Sequence, residues 1–131
     1  LSLYLIRIDL FEQICQGKSQ EFSNKLVSEF AYVLFDLIKS DDLVLRWQDD
    51  QLLLISERED GVETSQLAQT IVSRMHSHPI IGIELTISVV CTNFTLKSSK
   101  IDKHFWYAKT DRCVQAMDQL TSLDSWKLLD D

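Results

Sequence analysis

Near the middle of the chain, two apolar runs at residues 44–47 and 52–55 flank four polar residues, 48–51. This pattern is typical of a β-hairpin whose two strands are buried and whose tip meets water. The tip carries two adjacent carboxylates, Asp49 and Asp50. They could hold a metal ion, or they could simply form a solvated turn, for which Asp is a favoured residue.

The remaining apolar positions predict a regular succession of strands and helices. Residues 1–8 are apolar almost throughout, as expected for a central strand that is covered on both faces. Residues 80–91 alternate between apolar and other positions, which predicts a long strand, and residues 126–129 predict a short closing strand. Apolar positions recurring at intervals of three and four predict helices over residues 10–15, 20–39, 64–76 and 100–120.

The order of these elements predicts the fold class. A hairpin requires antiparallel pairing, whereas helical crossovers favour parallel pairing, so the central sheet is expected to be mixed. We therefore predict an α/β (α+β) sandwich of the palm or ferredoxin-like type, with helices flanking the sheet. The 131 residues are expected to form a single domain, residues 1–131. Because the chain begins inside an apolar run, we interpret it as a fragment of a larger multidomain protein.

Composition narrows the possible partners. Twenty acidic against thirteen basic residues give a net charge of −7, which argues against a general nucleic-acid surface, since phosphate binding needs clustered Lys and Arg. No apolar run approaches the roughly 20 residues that cross a bilayer, so no membrane contact is expected from this domain. Three widely spaced cysteines favour a reducing compartment. The expected location is cytoplasmic, although the parent protein could be membrane-anchored.

Asp9 and Asp50 are the first candidate site residues. In a fold of this type, the end of the first strand and the tip of the central hairpin lie side by side, so the two carboxylates could converge. Paired carboxylates on neighbouring strands are suited to hold Mg²⁺ for nucleotide chemistry. The alternative for Asp9 is a helix N-cap, a role that Asp favours and that needs no ligand.

Four segments, in order, resemble the bacterial GGDEF domains, diguanylate cyclases that condense two GTP into cyclic di-GMP. Residues 8–14, which include Ile8-Asp9-Leu10-Phe11, resemble the family's Asp-Ile-Asp-x-Phe-Lys-x-Ile-Asn-Asp. Arg-Trp-Gln-Asp-Asp-Gln-Leu at 46–52 stands where the family has Arg-Trp-Gly-Gly-Asp-Glu-Phe. Leu-Thr-Ile-Ser-Val at 85–89 resembles Thr-x-Ser-Ile-Gly, and residues 102–109 resemble Asp-x-Ala-Leu-Tyr-x-Ala-Lys.

The resemblance also places substitutions at the positions that perform the family's chemistry. The first-strand metal ligand falls on Arg7, which brings a positive charge to a cation site. The two glycines of the signature fall on Gln48 and Asp49, whose side chains would crowd the nucleotide. The catalytic Glu falls on Gln51, which cannot act as a base. The signature here is therefore degenerate over Gln48, Asp49, Asp50, Gln51 and Leu52.

Several binding positions of the family are retained only in part. Asp50 stands at the second metal position, and Lys109 stands at a phosphate-contacting position. The arginine expected after that lysine is Cys113, for which Arg112 could substitute. The base-recognising Asn and Asp fall on Cys15 and Asn24. The Arg-x-x-Asp site for product inhibition corresponds to Lys39 and Asp42, and Lys lacks the bidentate fork of Arg.

Together these positions predict a catalytically inactive GGDEF-like domain, with no metal or other cofactor, that serves as a regulatory or protein-interaction module in cyclic di-GMP-related signalling. A protein partner or a dimer is expected. One alternative is a receptor that binds GTP or cyclic di-GMP. Another is a weakly active diguanylate cyclase that uses Asp9 and Asp50, and only then would Mg²⁺ with GTP be required.

Overall fold

The computed structural model describes residues 1–95 and 103–129 as five strands and four helices. The strands are β1 (Ser2–Ile8), β2 (Leu43–Gln48), β3 (Gln51–Ser56), β4 (Ile87–Asn93) and β5 (Trp126–Leu129). The helices are α1 (Phe11–Cys15), α2 (Gln20–Phe35), α3 (Gly61–Ser77) and α4 (Lys103–Asp118). None of these helices has the length and apolar character needed to span a membrane, and that statement covers the described residues alone.

The strands form one mixed sheet in the order β2-β3-β1-β4-β5. Strand β1 lies in the centre and pairs antiparallel with both β3 and β4, so that Ile6 lies opposite Leu52 on one side and Val89 on the other. Strand β5 pairs parallel with β4, because α4 carries the chain back along the sheet between them. The predicted α+β sandwich with a mixed central sheet is confirmed.

Helices cover both faces of the sheet and create two apolar layers. Tyr4, Ile6 and Ile8 of β1 belong to the larger layer, which includes the buried stripes of α2 and α3. Leu3 and Leu5 belong to the smaller layer beneath α4. Alternate residues of β1 therefore enter opposite layers, and burying each Leu or Ile side chain contributes roughly 1.5–3 kcal/mol. Residues 3–6 and 8 of the central strand are apolar for this reason.

Two sequence expectations about the strands are wrong. Strand β2 is an edge strand, and α4 packs chiefly on β1 and β4, so Leu43 and Leu45 are 51% and 44% exposed rather than buried. Strand β4 begins at Ile87, because the chain first reverses at residues 80–83. Ile81 and Ile83, which the alternating pattern assigned to the strand, lie in that turn.

The helix ends also differ from expectation. Helix α2 ends at Phe35 rather than at residue 39, with Asp36 as its C-cap. Ser19 begins α2 by accepting a hydrogen bond from the backbone N–H of Phe22, as an N-cap does. The predicted start of the last helix, and Asp102 of the fourth matching segment, lie outside the described residues.

Candidate functional site

The end of β1 meets the hairpin tip, as the sequence predicted. The backbone N–H of Ile8 donates to the carbonyl oxygen of Asp50 at 2.9 Å, and Arg7 pairs with Gln51 across the two strands. Asp49 and Asp50 form the two-residue turn between β2 and β3. The backbone thus brings residues 7–9 beside the tip, but the side chain of Asp9 has other partners.

Asp9 is 1% exposed, and its carboxylate is surrounded by donors. One oxygen, Oδ1, accepts from Ser88 Oγ at 2.8 Å and from Arg7 Nη2 and Nε at 3.2 and 3.3 Å. The other, Oδ2, accepts from Thr86 Oγ1 at 3.0 Å and from the backbone N–H of Asp124 at 2.8 Å. These bonds satisfy a buried carboxylate almost completely, as burial requires.

The N-cap alternative for Asp9 is wrong. The N-cap of α1 is Leu10, which has a left-handed backbone (φ 58°) and provides no capping side chain. A leucine rarely adopts this conformation, because Cβ then crowds the backbone. The chain must turn sharply at Leu10, since Asp9 is held against β4 while α1 leaves toward the hairpin tip.

Arg7 supplies the positive charge beside Asp9. Its guanidinium forms an ion pair with Asp9 Oδ1 at 3.2 Å, and its remaining N–H groups reach Ser88 Oγ and the carbonyl oxygen of Met117, each at 3.4 Å. The side chain is 20% exposed. Arg7 therefore joins β1, β4 and the end of α4 at the position where the resemblance places a metal ligand.

Asp50 lies in a different environment from Asp9. Burial raises the pKa of Asp50 above its usual range, and the Asp49 carboxylate adds to that effect. A backbone hydrogen bond and the Arg7 guanidinium oppose the rise without cancelling it. The ionised form of Asp50 is thus less favourable in the folded protein than in the unfolded chain.

We expect Asp50→Asn to stabilise the domain at pH 7. Because the folded-state pKa of Asp50 is raised, its ionised form destabilises the folded protein above that pKa, and this effect fades as the pH falls toward the unfolded value of about 3.9. Urea unfolding at pH 7 and pH 4 measures the difference. Asp41→Asn, at an exposed position, is the control. Equal stability of Asp50→Asn and wild type at pH 7 would contradict the argument.

A groove of about 780 Å³ separates α1 from the hairpin tip. Its lining includes the carboxylates of Glu12, Asp49 and Asp50 and the thiol of Cys15. This is the place where the resemblance locates the nucleotide, since Cys15 and Asp49 stand at base-recognising and glycine positions. The acidic lining repels phosphate groups, whereas the volume is sufficient for a small ligand.

The thiol of Cys15 offers a direct probe of this groove. Burial raises the pKa of Cys91 to about 12 and that of Cys113 to about 11, so neither thiol ionises at neutral pH. We expect Cys15 alone to react quickly with a maleimide in the folded protein, and all three cysteines to react after unfolding. Mass spectrometry of the labelled protein checks this, and labelling of Cys91 or Cys113 before unfolding would contradict it.

The other residues of the segment 48–52 belong to the hairpin. Gln48 is exposed, Gln51 is half-buried, and Leu52 is buried in the larger apolar layer. Arg46, which precedes them, donates to the carbonyl oxygen of Asp49 at 2.8 Å and to Asn24 Oδ1 at 3.0 Å. It therefore ties the tip to α2, a role that the sequence alone did not reveal.

The structure does not bring Lys109 to the hairpin tip. Its ammonium lies 5.3 Å from the ring centroid of Phe94 and 5.7 Å from that of Phe105, within the range of cation–π contacts. Phe94 is hydrogen-bonded to Leu1 at the opposite end of β1 from Asp9. Eight residues separate Leu1 from Asp9, roughly 26 Å at the rise of a strand. Arg112 is exposed on α4, and its neighbour Cys113 is buried beneath that helix.

Lys39 and Asp42 stay together, but in a local turn. The Asp42 carboxylate accepts from the backbone N–H of Lys39 at 2.9 Å, while the Lys39 ammonium donates to the carbonyl oxygen of Glu57 at 3.1 Å. Arg58, which the sequence did not single out, approaches Asp42 Oδ2 at 3.9 Å. The Asp42 side chain is 1% exposed, so its carboxylate mainly orders the turn before β2.

Asp124 is another residue that sequence reasoning missed. It has a left-handed backbone (φ 55°), its N–H donates to Asp9, and its carboxylate contacts His76 at the end of α3. No sequence signal connects residues 115 positions apart.

Within residues 1–95 and 103–129, His, Cys, Asp and Glu side chains form no group of three or more that could hold a metal ion.

Comparison with known proteins identifies this architecture. The family model for the diguanylate cyclase GGDEF domain matches residues 1–115, most of the chain. The chain belongs to the GGDEF family. No curated protein matches the sequence. Similar solved structures do exist, and because their identities to the chain are low, they support the GGDEF fold alone.

Three of these structures illustrate the likeness. The active GGEEF domain of a diguanylate cyclase from Vibrio cholerae is 15% identical, with a TM-score of 0.75 over 99% of this chain and 83% of that one. The diguanylate cyclase SiaD of Pseudomonas aeruginosa, solved with its activator SiaC, is 15% identical, with a TM-score of 0.77 over 98% of this chain and 49% of that one. The GGDEF domain of DgcB from Caulobacter crescentus, solved with cyclic di-GMP, is 12% identical, with a TM-score of 0.74 over 97% of this chain and 76% of that one.

Proposed function

We propose that this GGDEF domain is catalytically inactive and acts as a cytoplasmic regulatory or protein-interaction module in cyclic di-GMP-related signalling. The observation that carries the proposal is the ion pair between Arg7 and the buried carboxylate of Asp9. Arg7 stands where the family's first metal ligand is expected, so a fixed cation of the protein lies where a divalent ion would be held.

The donor set around Arg7 does not suit Mg²⁺. This ion requires oxygen ligands in a nearly octahedral arrangement, usually with one or two carboxylates. Both oxygens of Asp9 already accept hydrogen bonds, and the guanidinium repels a second cation nearby. Asp50 remains as a single carboxylate, with its charge disfavoured by burial. We therefore propose that the domain holds no metal at this position.

Other positions support the same proposal. Gln51 has an amide where the family has a catalytic carboxylate, and an amide cannot accept a proton at neutral pH. Asp49 replaces a glycine and adds negative charge to the groove that would receive a triphosphate. Lys109 lies over Phe94 and Phe105. These features each weaken nucleotide positioning, and positioning is what phosphoryl transfer chiefly requires.

The direct experiment is a cyclase assay on the purified domain. We expect no cyclic di-GMP and no linear intermediate from GTP with Mg²⁺ or Mn²⁺, as monitored by chromatography over hours. The active Vibrio cholerae domain serves as the positive control under the same conditions. Formation of cyclic di-GMP in proportion to the concentration of this domain would refute the proposed inactivity.

A nucleotide receptor is the second candidate, because the groove of about 780 Å³ lies where the family binds its nucleotide. A ligand that binds only the folded state raises the melting temperature. The receptor hypothesis predicts such a rise with GTP or cyclic di-GMP, together with protection of Cys15 from maleimide. No rise at millimolar nucleotide would eliminate this candidate.

A protein partner remains part of the proposal. SiaD, which shares the fold, was solved with an activator protein. For this domain we propose either self-association or binding to another protein, both of which are compatible with an inactive site. Sedimentation velocity over a range of concentrations tests self-association, since a dimer predicts a concentration-dependent sedimentation coefficient.

A further inference from the structure

A shallow groove of about 230 Å³ lies on the outer surface, where the end of α2 meets the turn at residues 80–83. One wall is formed by Glu29, Tyr32 and Asp36, which are spaced by three and four residues and so share one face of the helix. Residues 78–81 form the other wall. The aromatic side chain of Tyr32 is 73% exposed.

The turn that forms one wall contains an unusual residue. Ile80 and Ile83 exchange two backbone hydrogen bonds of 2.8 Å, and both central residues, Ile81 and Gly82, have positive φ (52° and 72°). Such a turn favours Asn-Gly, and a β-branched residue in this region is a rare outlier. The Ile81 side chain nevertheless remains 40% exposed. Local structure therefore does not explain why isoleucine stands there.

A second unfavourable residue lines the opposite wall. Asp36 is the C-cap of α2, so its negative charge lies at the negative end of the helix dipole, and the last turn contains no basic residue to compensate. A cation or a neutral residue would stabilise this helix end. Asp36, like Ile81, is thus a residue that reduces the stability of the isolated domain.

Residues that conflict with local structural preferences concentrate at functional sites, where another requirement maintains them. We infer that this groove is a docking surface for a protein partner that presents apolar side chains flanked by Lys or Arg. Tyr32 and Ile81 supply the apolar contact, while Glu29 and Asp36 attract the basic residues. The surface shares no residue with the groove between α1 and the hairpin tip, so it does not depend on whether the domain is catalytic.

The probe is a synthetic amphipathic helical peptide made of leucine and lysine, titrated into the isotope-labelled domain and followed by NMR. We expect saturable chemical-shift changes centred on Tyr32 and Ile81. A matched peptide with glutamate in place of lysine is expected to cause none. The inference is overturned if the lysine peptide causes no saturable change at this groove, or if the changes map only to the groove lined by Glu12, Asp49 and Asp50.

Two variants separate docking from folding. Asn adopts a positive φ at a lower energetic cost than isoleucine, and a lysine at position 36 complements the helix dipole. Ile81→Asn and Asp36→Lys are therefore each expected to raise the melting temperature by roughly 2–6 °C. Each should also weaken binding of the lysine peptide by about fivefold or more, the effect typical of a contact residue that contributes substantially to the binding free energy. Val62→Asn, at a 65% exposed position on the first turn of α3, is the control that should leave binding unchanged. Unchanged affinity in both variants, or a lower melting temperature in both, would overturn the inference.

Discussion

Replacement of Arg7 by alanine is expected to lower the free energy of unfolding by about 3–5 kcal/mol, the range for removing one partner of a buried ion pair. The Asp9 side chain has no solvent exposure, and Arg7 supplies the only positive side chain that the described residues place in an ion pair with it. Thr86, Ser88 and the Asp124 N–H would still donate to Asp9. They provide no net charge, so the carboxylate would remain uncompensated.

Denaturant unfolding at pH 7 measures this loss, and a double-mutant cycle attributes it to the ion pair. In a double-mutant cycle with Asp9→Ala, the combined loss should be smaller than the sum of the single losses. Arg74→Ala, at an exposed position on α3, should change stability by at most about 0.5 kcal/mol. A loss below about 1 kcal/mol for Arg7→Ala would contradict the structural role assigned to the pair.

The sequence predicted elements whose signal is local. The hairpin tip at 48–51 is visible because two apolar runs enclose four polar residues, and α3 ends before His78 and Pro79 because the residue before proline avoids the helical conformation. The exposure of β2 was not predictable in this way. An apolar run does not state whether its strand will be central or at an edge, and that depends on the packing of α4, a distant element.

In the candidate site, too, contacts between residues close in sequence could be predicted and contacts with distant residues could not. Arg7 and Asp9 lie two residues apart, so strand geometry places them on one side of the sheet. Their other partners, Ser88 and Asp124, come from the far part of the chain, and the left-handed backbone of Asp124 that aims its N–H at Asp9 has no sequence signature. For Lys109, the resemblance indicated a position on the helix, but the direction of a long side chain depends on its neighbours, here two aromatic rings.

Restoring the family's residues at four positions is expected to create metal binding, which we propose that the natural domain lacks. In the variant with Arg7→Asp, Gln48→Gly, Asp49→Gly and Gln51→Glu, a carboxylate replaces the guanidinium near Asp50. The change adds oxygen ligands and negative charge, which attract Mg²⁺. The same change places two carboxylates side by side at positions 7 and 9, so the variant should be less stable than wild type without metal.

A divalent cation should reverse that instability in the variant alone. At a concentration ten times its dissociation constant, an ion that binds only the folded state adds about 1.4 kcal/mol, which corresponds to a rise in melting temperature of about 5 °C for a domain of this size. Thermal unfolding with Mg²⁺ or with EDTA measures the difference, and NaCl at the same ionic strength controls for general screening of the negative charge. The triple variant that retains Arg7 should show no Mg²⁺-dependent rise. If wild type and the fourfold variant respond equally to Mg²⁺, Arg7 does not exclude the ion, and the electrostatic basis for the proposed inactivity fails.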